Sequence, residues 1–310
     1  MIEMSNIEGL TIEIMEQRFE SLTIFEFQQR FPDEKSCMEY LSELKWSEGF
    51  ICPQCGNTKY CKGHKEHIRQ CTKCNRLVSP TSGTLFHQVK FSLLKAFYIV
   101  YYISTNKKGI ASTELSRKLG LRQKTCWLFK QKVMKAMKSS GSFKISGKVE
   151  VDETVVGGQE EGTVGRKNNK KKVVVFAVER KGKGISRLYG KVITNSSSKE
   201  LGEFMKSCIE PETEVKTDQW VGYTPLKSHF KNLHQEPSGK KGENFPDLHR
   251  AIMGFKGWLR GIHHHATYLQ AYVDEYTYRF NRSHMKLNIF ENLVDRMVKG
   301  KPFTYKMIIN

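Results

Sequence analysis

Residues 149–158 read VEVDETVVGG, and this stretch decides how the second half of the chain is organised. Val149 and Val151 alternate with Glu150 and Asp152, the two-residue period of a strand with one apolar and one polar face. The glycine pair that follows marks a turn. An aspartate after apolar strand residues and ahead of a glycine turn is a common metal-ligand position; a turn-forming Asp leaves the same signature. Two more strand patterns follow, KKVVVFAVERK (171–181) and ISRLYGKVITNSS (185–197), so an antiparallel meander is expected. A helical stretch, SKELGEFMKSCIE (198–210), leads to a fourth strand in TEVKTDQWVGY (213–223), which places Asp218 at its end. Long helices close the chain. Three strands, a helix, a strand and more helices predict an α/β (α+β) fold with a mixed sheet.

The first of those closing helices, FPDLHRAIMGFKGWLRG (245–261), carries an apolar stripe of Leu248, Ile252, Phe255, Leu259 and Ile262. His249 and Lys256 are seven residues apart, about two turns, so they project from one face together with Met253 and Arg260. A partly solvated helix face gives the same pattern. Taken with Asp152 and Asp218, His249 makes a possible set of hard and borderline ligands for a divalent metal, and Lys256 offers a point charge for a phosphate. Further along, YVDEYTYRFNR (272–282) reads as a helix with its aromatic stripe in the core and with Arg279 and Asn281 supporting the site.

Upstream, CPQC (Cys52, Cys55) and CTKC (Cys71, Cys74) are separated by fifteen residues, the spacing of a zinc ribbon whose two turns point four thiolates at one structural ion. Cys61, His64 and His67 lie between the pairs as alternative ligands, while Arg69, Lys73 and Arg76 decorate the ribbon as DNA contacts. Cys126 and Cys208 stand in apolar helical contexts and read as buried thiols. After the ribbon, IASTELSRKLGLRQKTCWLFKQKVMKAM (110–137) has a cap at Ser112, a short helix, Gly120 at a turn and a basic second helix from about Arg122. That order suits a helix-turn-helix with Arg122, Gln123 and Lys124 as base or phosphate readers; an ordinary pair of core helices remains the alternative. The expected division is a helical lead-in at 1–45, the ribbon at 46–88, the helix-turn-helix region at 89–140 and the sheet domain at 145–300, with the boundary in SSGSFKISG (139–147).

The chain has 310 residues, is 38% hydrophobic and carries a formal charge of +19, which favours a polyanionic partner, nucleic acid first. The run GRKNNKKK (165–172) reads as a basic hairpin that grips a DNA backbone, or as a solvated loop. The acidic start lacks the pattern of a signal peptide, and the greasiest stretch, LLKAFYIVYYI (93–103), is too short to span a bilayer. A cytoplasmic location without membrane contact is therefore expected.

These motifs together resemble the insertion-sequence transposases of the fifteen-ninety-five family: CPQCG, CTKC, SGTLFH (82–87), STELSRKLGLRQKTCW (112–127), VEVDETVVGG, KTDQWVGY (216–223), FPDLHRAIMGFKGWLRGIHHH (245–265) and YLQAYVDEYTYRFNR (268–282). The resemblance implies a ribonuclease H-like catalytic domain behind the zinc ribbon and helix-turn-helix. It implies Asp152 and Asp218 as metal ligands, His249 in the place of the third acid, and Lys256 as the lysine that follows it. His264 falls where the family has a histidine, which implies a DNA-facing or structural role, and with Arg260 it is expected among the DNA-binding residues. The implied cofactors are two Mg²⁺ or Mn²⁺ ions, with the imidazole favouring Mn²⁺, and a structural Zn²⁺. The implied partner is double-stranded DNA, both the element's ends and the target, bound by a dimer or larger assembly. A non-catalytic DNA-binding regulator and a metal nuclease without strand transfer are the competing readings.

Overall fold

Local capping explains how the first helices form. The computed structural model describes residues 21–157, 171–182, 184–262, 267–283, 285 and 288–309; the basic run at 165–170 and the histidine run at 263–265, His264 included, lie outside them. Helix α1 (Ile24–Arg30) opens with a capping box between Thr23 and Glu26. Helix α2 (Glu34–Lys45) is capped by Asp33, whose carboxylate accepts the Ser36 amide hydrogen at 2.8 Å. Three short antiparallel strands follow, β1 (Tyr60–Lys62), β2 (Arg69–Cys71) and β3 (Leu77–Val78), over a small core of Trp46, Phe50 and Val78.

Helix α3 (Leu93–Thr105) is apolar nearly all round and correspondingly buried. Helix α4 (Ser112–Leu119) ends at Gly120, whose φ of +60° suits a residue without Cβ, and helix α5 (Gln123–Met137) departs after a two-residue turn. The cap of α4 is Ala111 rather than Ser112. Ser112 is the first helical residue, and its hydroxyl accepts a hydrogen bond from Gln123 Nε2 at 2.7 Å, tying the two helix starts together.

A five-stranded sheet is built from β4 (Lys148–Val156), β5 (Lys172–Lys181), β6 (Gly184–Ile193), β7 (Glu214–Thr217) and β8 (Leu233–Gln235), in the order β6-β5-β4-β7-β8. The first three strands are antiparallel, as the meander predicts, whereas β7 and β8 run parallel to β4. Helix α6 (Ser198–Cys208) joins β6 to β7 and buries Leu201, Phe204 and Met205 against Val149, Val151, Val175 and Ala177. On the opposite face lie α7 (Pro246–Ile262) and α8 (Leu269–Asn281), with Phe255 tilted against Phe176 at 5.3 Å. A mixed sheet with helices on both faces is the α/β fold that the order of strands and helices predicts, and it fits the ribonuclease H-like architecture that the resemblance implies. The fourth strand is shorter than expected: it stops at Thr217, and Val221–Ser228 winds into a 3-10 helix. Strand β8 is an addition that three polar-flanked residues give no periodicity to detect.

Helix α9 (Ile289–Lys299) returns to the N-terminal helices, where Phe290 meets Phe27, Phe31 and Phe97, and α10 (Tyr305–Ile309) ends the described chain. One hydrophobic core therefore runs from α1 through α5 and α9 to the α7–α8 face of the sheet. The stretch 139–147 is stapled to that body, since the Ser140 hydroxyl and the Gly190 backbone exchange hydrogen bonds at 3.1 and 3.2 Å. A buried ionic node reinforces it. Glu275 on α8 is fully buried between Arg279, whose Nη2 lies 2.7 Å away, and Lys130 of α5, whose ammonium is 3.8 Å away. Lys130 also donates to the Ile110 carbonyl at 2.8 Å, and Arg279 donates to the carbonyls of Asn106 and Ile103, each at 2.8 Å. From α7, Trp258 Nε1 donates to the Lys108 carbonyl at 2.9 Å.

Candidate active site

Register alone brings the two aspartates together. Val149 pairs with Val215 and Val151 with Thr217 across the parallel strands β4 and β7, so the next residue on each, Asp152 and Asp218, lies at the same level of the sheet. Backbone amides hold both carboxylates: Glu153 N–H donates to Asp152 Oδ1 at 2.7 Å, and Trp220 N–H to Asp218 Oδ1 at 3.0 Å. The side chain of Gln235 on β8 donates to the Trp220 carbonyl at 3.0 Å, fixing the turn after Asp218.

A third acid joins them. Carboxylate oxygens of Asp152, Glu153 and Asp218 all lie within 4.8 Å of one another, and each residue is half-buried. At an effective dielectric near 20, two charges that close repel by at least about 3 kcal/mol, so the trio is suited to share a divalent cation. Tyr223, fully buried, donates its hydroxyl to Glu153 Oε2 at 2.8 Å. Burial, with Glu153, Asp152 and Asp218 adding to it, raises the Tyr223 phenol well above its ordinary range, so it stays a neutral donor. Sequence reasoning missed Glu153. The available signal was an acid on the Val149–Val151 side of the strand, a position that alternation reserves for apolar residues.

Helix α7 is anchored over β4 by a fourth acid, which is buried. Glu150, 3% exposed, accepts the Leu248 amide hydrogen at 3.3 Å and pairs with Arg180 at 3.2 Å. Arg180 also pairs with Asp247 at 3.1 Å, and Asp247 with Arg250 at 2.7 Å. Burial raises the Glu150 carboxyl, while the Leu248 amide and Arg180 pull it back. Two turns on, Phe255 packs against Phe176, the β5 partner of Asp152, and Lys256 is the next residue of the helix. Burial and the neighbouring Arg260 lower the Lys256 ammonium, and the negative charge of Asp152 acts in the opposite sense.

His249 takes a different position. It shares the Lys256 face about 10 Å nearer the helix start, is exposed, and lies against Gly242, where an added Cβ would sit 2.8 Å from its Nδ1. It stands outside the three-carboxylate set. Arg279 and Asn281 do not support the site: Arg279 belongs to the buried node with Glu275, and Asn281 pairs with the backbone of Leu188 at 2.7 and 2.9 Å.

Arg122, Gln123 and Lys124 are exposed at the start of α5, with Lys124 5.1 Å above the Tyr305 ring. In the ribbon, the sulfurs of Cys52, Cys55, Cys71 and Cys74 cluster, with contacts of 3.5 to 3.6 Å. Four thiolates about 2.3 Å from a zinc ion stand about 3.8 Å apart, and a disulfide would need about 2.05 Å, so the set fits a structural zinc. Cys61, His64 and His67 lie outside it. Arg69 is clamped between the rings of Trp46 and Tyr60, each 4.1 Å away, so its guanidinium serves the ribbon's packing; Lys73 and Arg76 remain exposed.

Comparison with known proteins agrees with both halves. Residues 144–281 match the ISXO2-like transposase domain, and residues 32–76 match the transposase zinc-ribbon domain. The chain belongs to the IS1595 family of transposases. A protein of Halobacterium salinarum described as an uncharacterized protein in transposable element ISH50 is 26% identical over 130 residues, covering 41% of this chain and 43% of that protein. The chain thus spans less than half the length of that curated relative. The transposase domain holds the three clustered acids and Lys256, and the zinc-ribbon domain holds the four cysteines. Among the described residues, no helix is long and apolar enough to cross a membrane.

Proposed function

We propose that the chain is the DNA transposase of its insertion sequence, binding the element's terminal inverted repeats and catalysing divalent-metal-dependent strand cleavage and strand transfer. The observation that supports this best is the parallel β4–β7 register, which sets Asp152 beside Asp218 within reach of one cation, while the charge of Asp152 is felt at Lys256 on α7. Asp152 and Asp218 are the metal ligands in this reading, and Lys256 binds a non-bridging oxygen of the scissile phosphate as a point charge. Magnesium or manganese ions bound there would supply activation of the attacking oxygen and stabilisation of the leaving oxygen in an in-line displacement at phosphorus. Water first attacks at the element's end and frees a 3′-hydroxyl, and that hydroxyl then attacks target DNA. No side chain becomes covalently attached to DNA.

Arg122, Gln123 and Lys124 meet the major groove in this reading, Arg260 and His264 meet backbone phosphates, and the zinc ribbon adds a second contact to the repeat. Pairing two element ends calls for a dimer or larger assembly on DNA. The test is incubation of the purified protein with a plasmid carrying the gene's own flanking DNA, in Mg²⁺ or Mn²⁺, beside Asp218→Ala. Joined strands absent from the variant support the transposase. Nicked but unjoined ends support a nuclease, and a shifted band without cleavage supports a non-catalytic regulator.

A further inference from the structure

We propose that Glu153, and not His249, completes the ligand set for the divalent cation in the DNA-free protein, and that Tyr223 is the positioning residue that aims it. The inference rests on the transposase reading only in taking Asp152 and Asp218 as ligands.

The local structure shows how an acid on the wrong side of a strand reaches the site. Asp152 lies on the α7 face of β4, while Glu153 follows Val149 and Val151 onto the face that α6 and the 3-10 helix cover. A carboxylate there meets the phenol of Tyr223, which is itself fully buried and donates at 2.8 Å. Tyr223 comes five residues after Asp218, in the 3-10 helix that continues from the same turn. One hydrogen bond therefore links the acid of β4 to the segment that carries the acid of β7.

The turn that delivers Tyr223 is tightly determined. A Cβ on Gly222 would come within 2.7 Å of the Ser196 carbonyl and 2.5 Å of Trp220 Nε1, so only glycine fits, and Trp220 Nε1 is itself bonded to that carbonyl at 2.7 Å. Tyr223 then packs in the core with Val151, Leu226 and Phe230. A phenol orients Glu153 without cancelling its charge, as a lysine would, and leaves the carboxylate acceptor capacity for a cation. His249 has no comparable support, being exposed against Gly242 and outside the cluster.

The test measures Mn²⁺ binding to the zinc-loaded full chain without DNA, by calorimetry and by the electron paramagnetic resonance signal of free Mn²⁺. Glu153→Gln keeps shape and the Tyr223 hydrogen bond and is expected to weaken Mn²⁺ binding at least tenfold. Tyr223→Phe is expected to weaken it severalfold, with the metal-free melting temperature recorded beside it. His249→Ala is expected to stay within twofold. Asp152→Asn and Asp218→Asn serve as references and are expected to abolish measurable binding. Glu153→Gln within twofold of the parent chain while the aspartate variants lose binding would overturn this inference alone, as would a loss in His249→Ala equal to theirs. Unchanged binding in both aspartate variants would overturn the transposase site itself, and this inference with it.

Discussion

Replacing Lys130 with methionine probes the joint between the helix-turn-helix region and the α7–α8 layer. Lys130 is 4% exposed, and burial lowers its ammonium while Glu275 opposes the shift. Methionine fills a similar volume, so the loss is electrostatic. Breaking a buried ion pair by removing one partner costs about 3–5 kcal/mol. Arg279 still holds Glu275 through Nε at 3.1 Å and Nη2 at 2.7 Å, which puts the expected cost at the lower end, about 3 kcal/mol. The Ile110 carbonyl also loses its donor, worth about 1 kcal/mol. At roughly 2–4 °C per kcal/mol for a body of this size, Lys130→Met melts about 8–16 °C lower. Urea denaturation of the zinc-loaded protein followed by circular dichroism measures the change, and a double-mutant cycle with Glu275→Gln isolates a coupling of at least about 1 kcal/mol. A single-variant loss under about 1 kcal/mol, or strict additivity in the cycle, would refute the argument that the node is a structural joint.

Other substitutions test separate parts of the molecule. Burial raises the Asp274 carboxyl from 3.8 to about 6, against the pull of Gln270, Lys138 and Lys135, so the folded state loses stability as pH rises from about 4 through 6. Asp274→Asn should therefore stabilise by up to about 3 kcal/mol at pH 7.5 and by about half that at pH 5; an equal gain at both, read from urea midpoints, would contradict the assignment. Removing zinc, by chelation or Cys71→Ala, should open residues 46–78 to protease while the helical circular-dichroism signal largely persists, and an unchanged digestion pattern would count against a structural site. Gly190→Ala would press a Cβ to 2.7 Å from Val273 Cγ1 and 2.8 Å from Phe176 Cε1, an overpacking expected to cost about 1–3 kcal/mol in denaturation experiments. Lys256→Gln should slow cleavage roughly 10²-fold while repeat binding in gel shifts changes little, and a parallel loss of both would move Lys256 from the reacting phosphate to general DNA contact.

The parts of the fold written in regular period were legible from sequence. Alternation at 149–152 marked the two faces of β4, the apolar run at 173–178 marked β5 as a strand, and the i, i+4, i+7 stripe of α7 marked the helix face that now packs on Phe176. The two C-x-x-C pairs carried their own geometry. What sequence could not carry was pairing at a distance: that β7 runs parallel to β4 with Val151 opposite Thr217, or that β8 lies outside β7. Glu153 illustrates the cost. Its role depends on Tyr223, seventy residues later, and no local period links the two. Arg69 and Arg279 failed in the opposite sense, since a basic residue destined for an aromatic clamp or a buried carboxylate looks the same in sequence as one that meets DNA or supports an active site.

Residues 106–110 are gripped from three helices at once, by Lys130 from α5, Trp258 from α7 and Arg279 from α8. On the proposed reading, the side chains that recognise the repeat and the lysine that meets the scissile phosphate are thus graduations on one solid caliper. The cut is metered from the recognised bases by folded protein, with no slack to take up. One added base pair between the two would carry the phosphate about 3.4 Å along and about 35° around the duplex, and half a helical turn would put it on the far side.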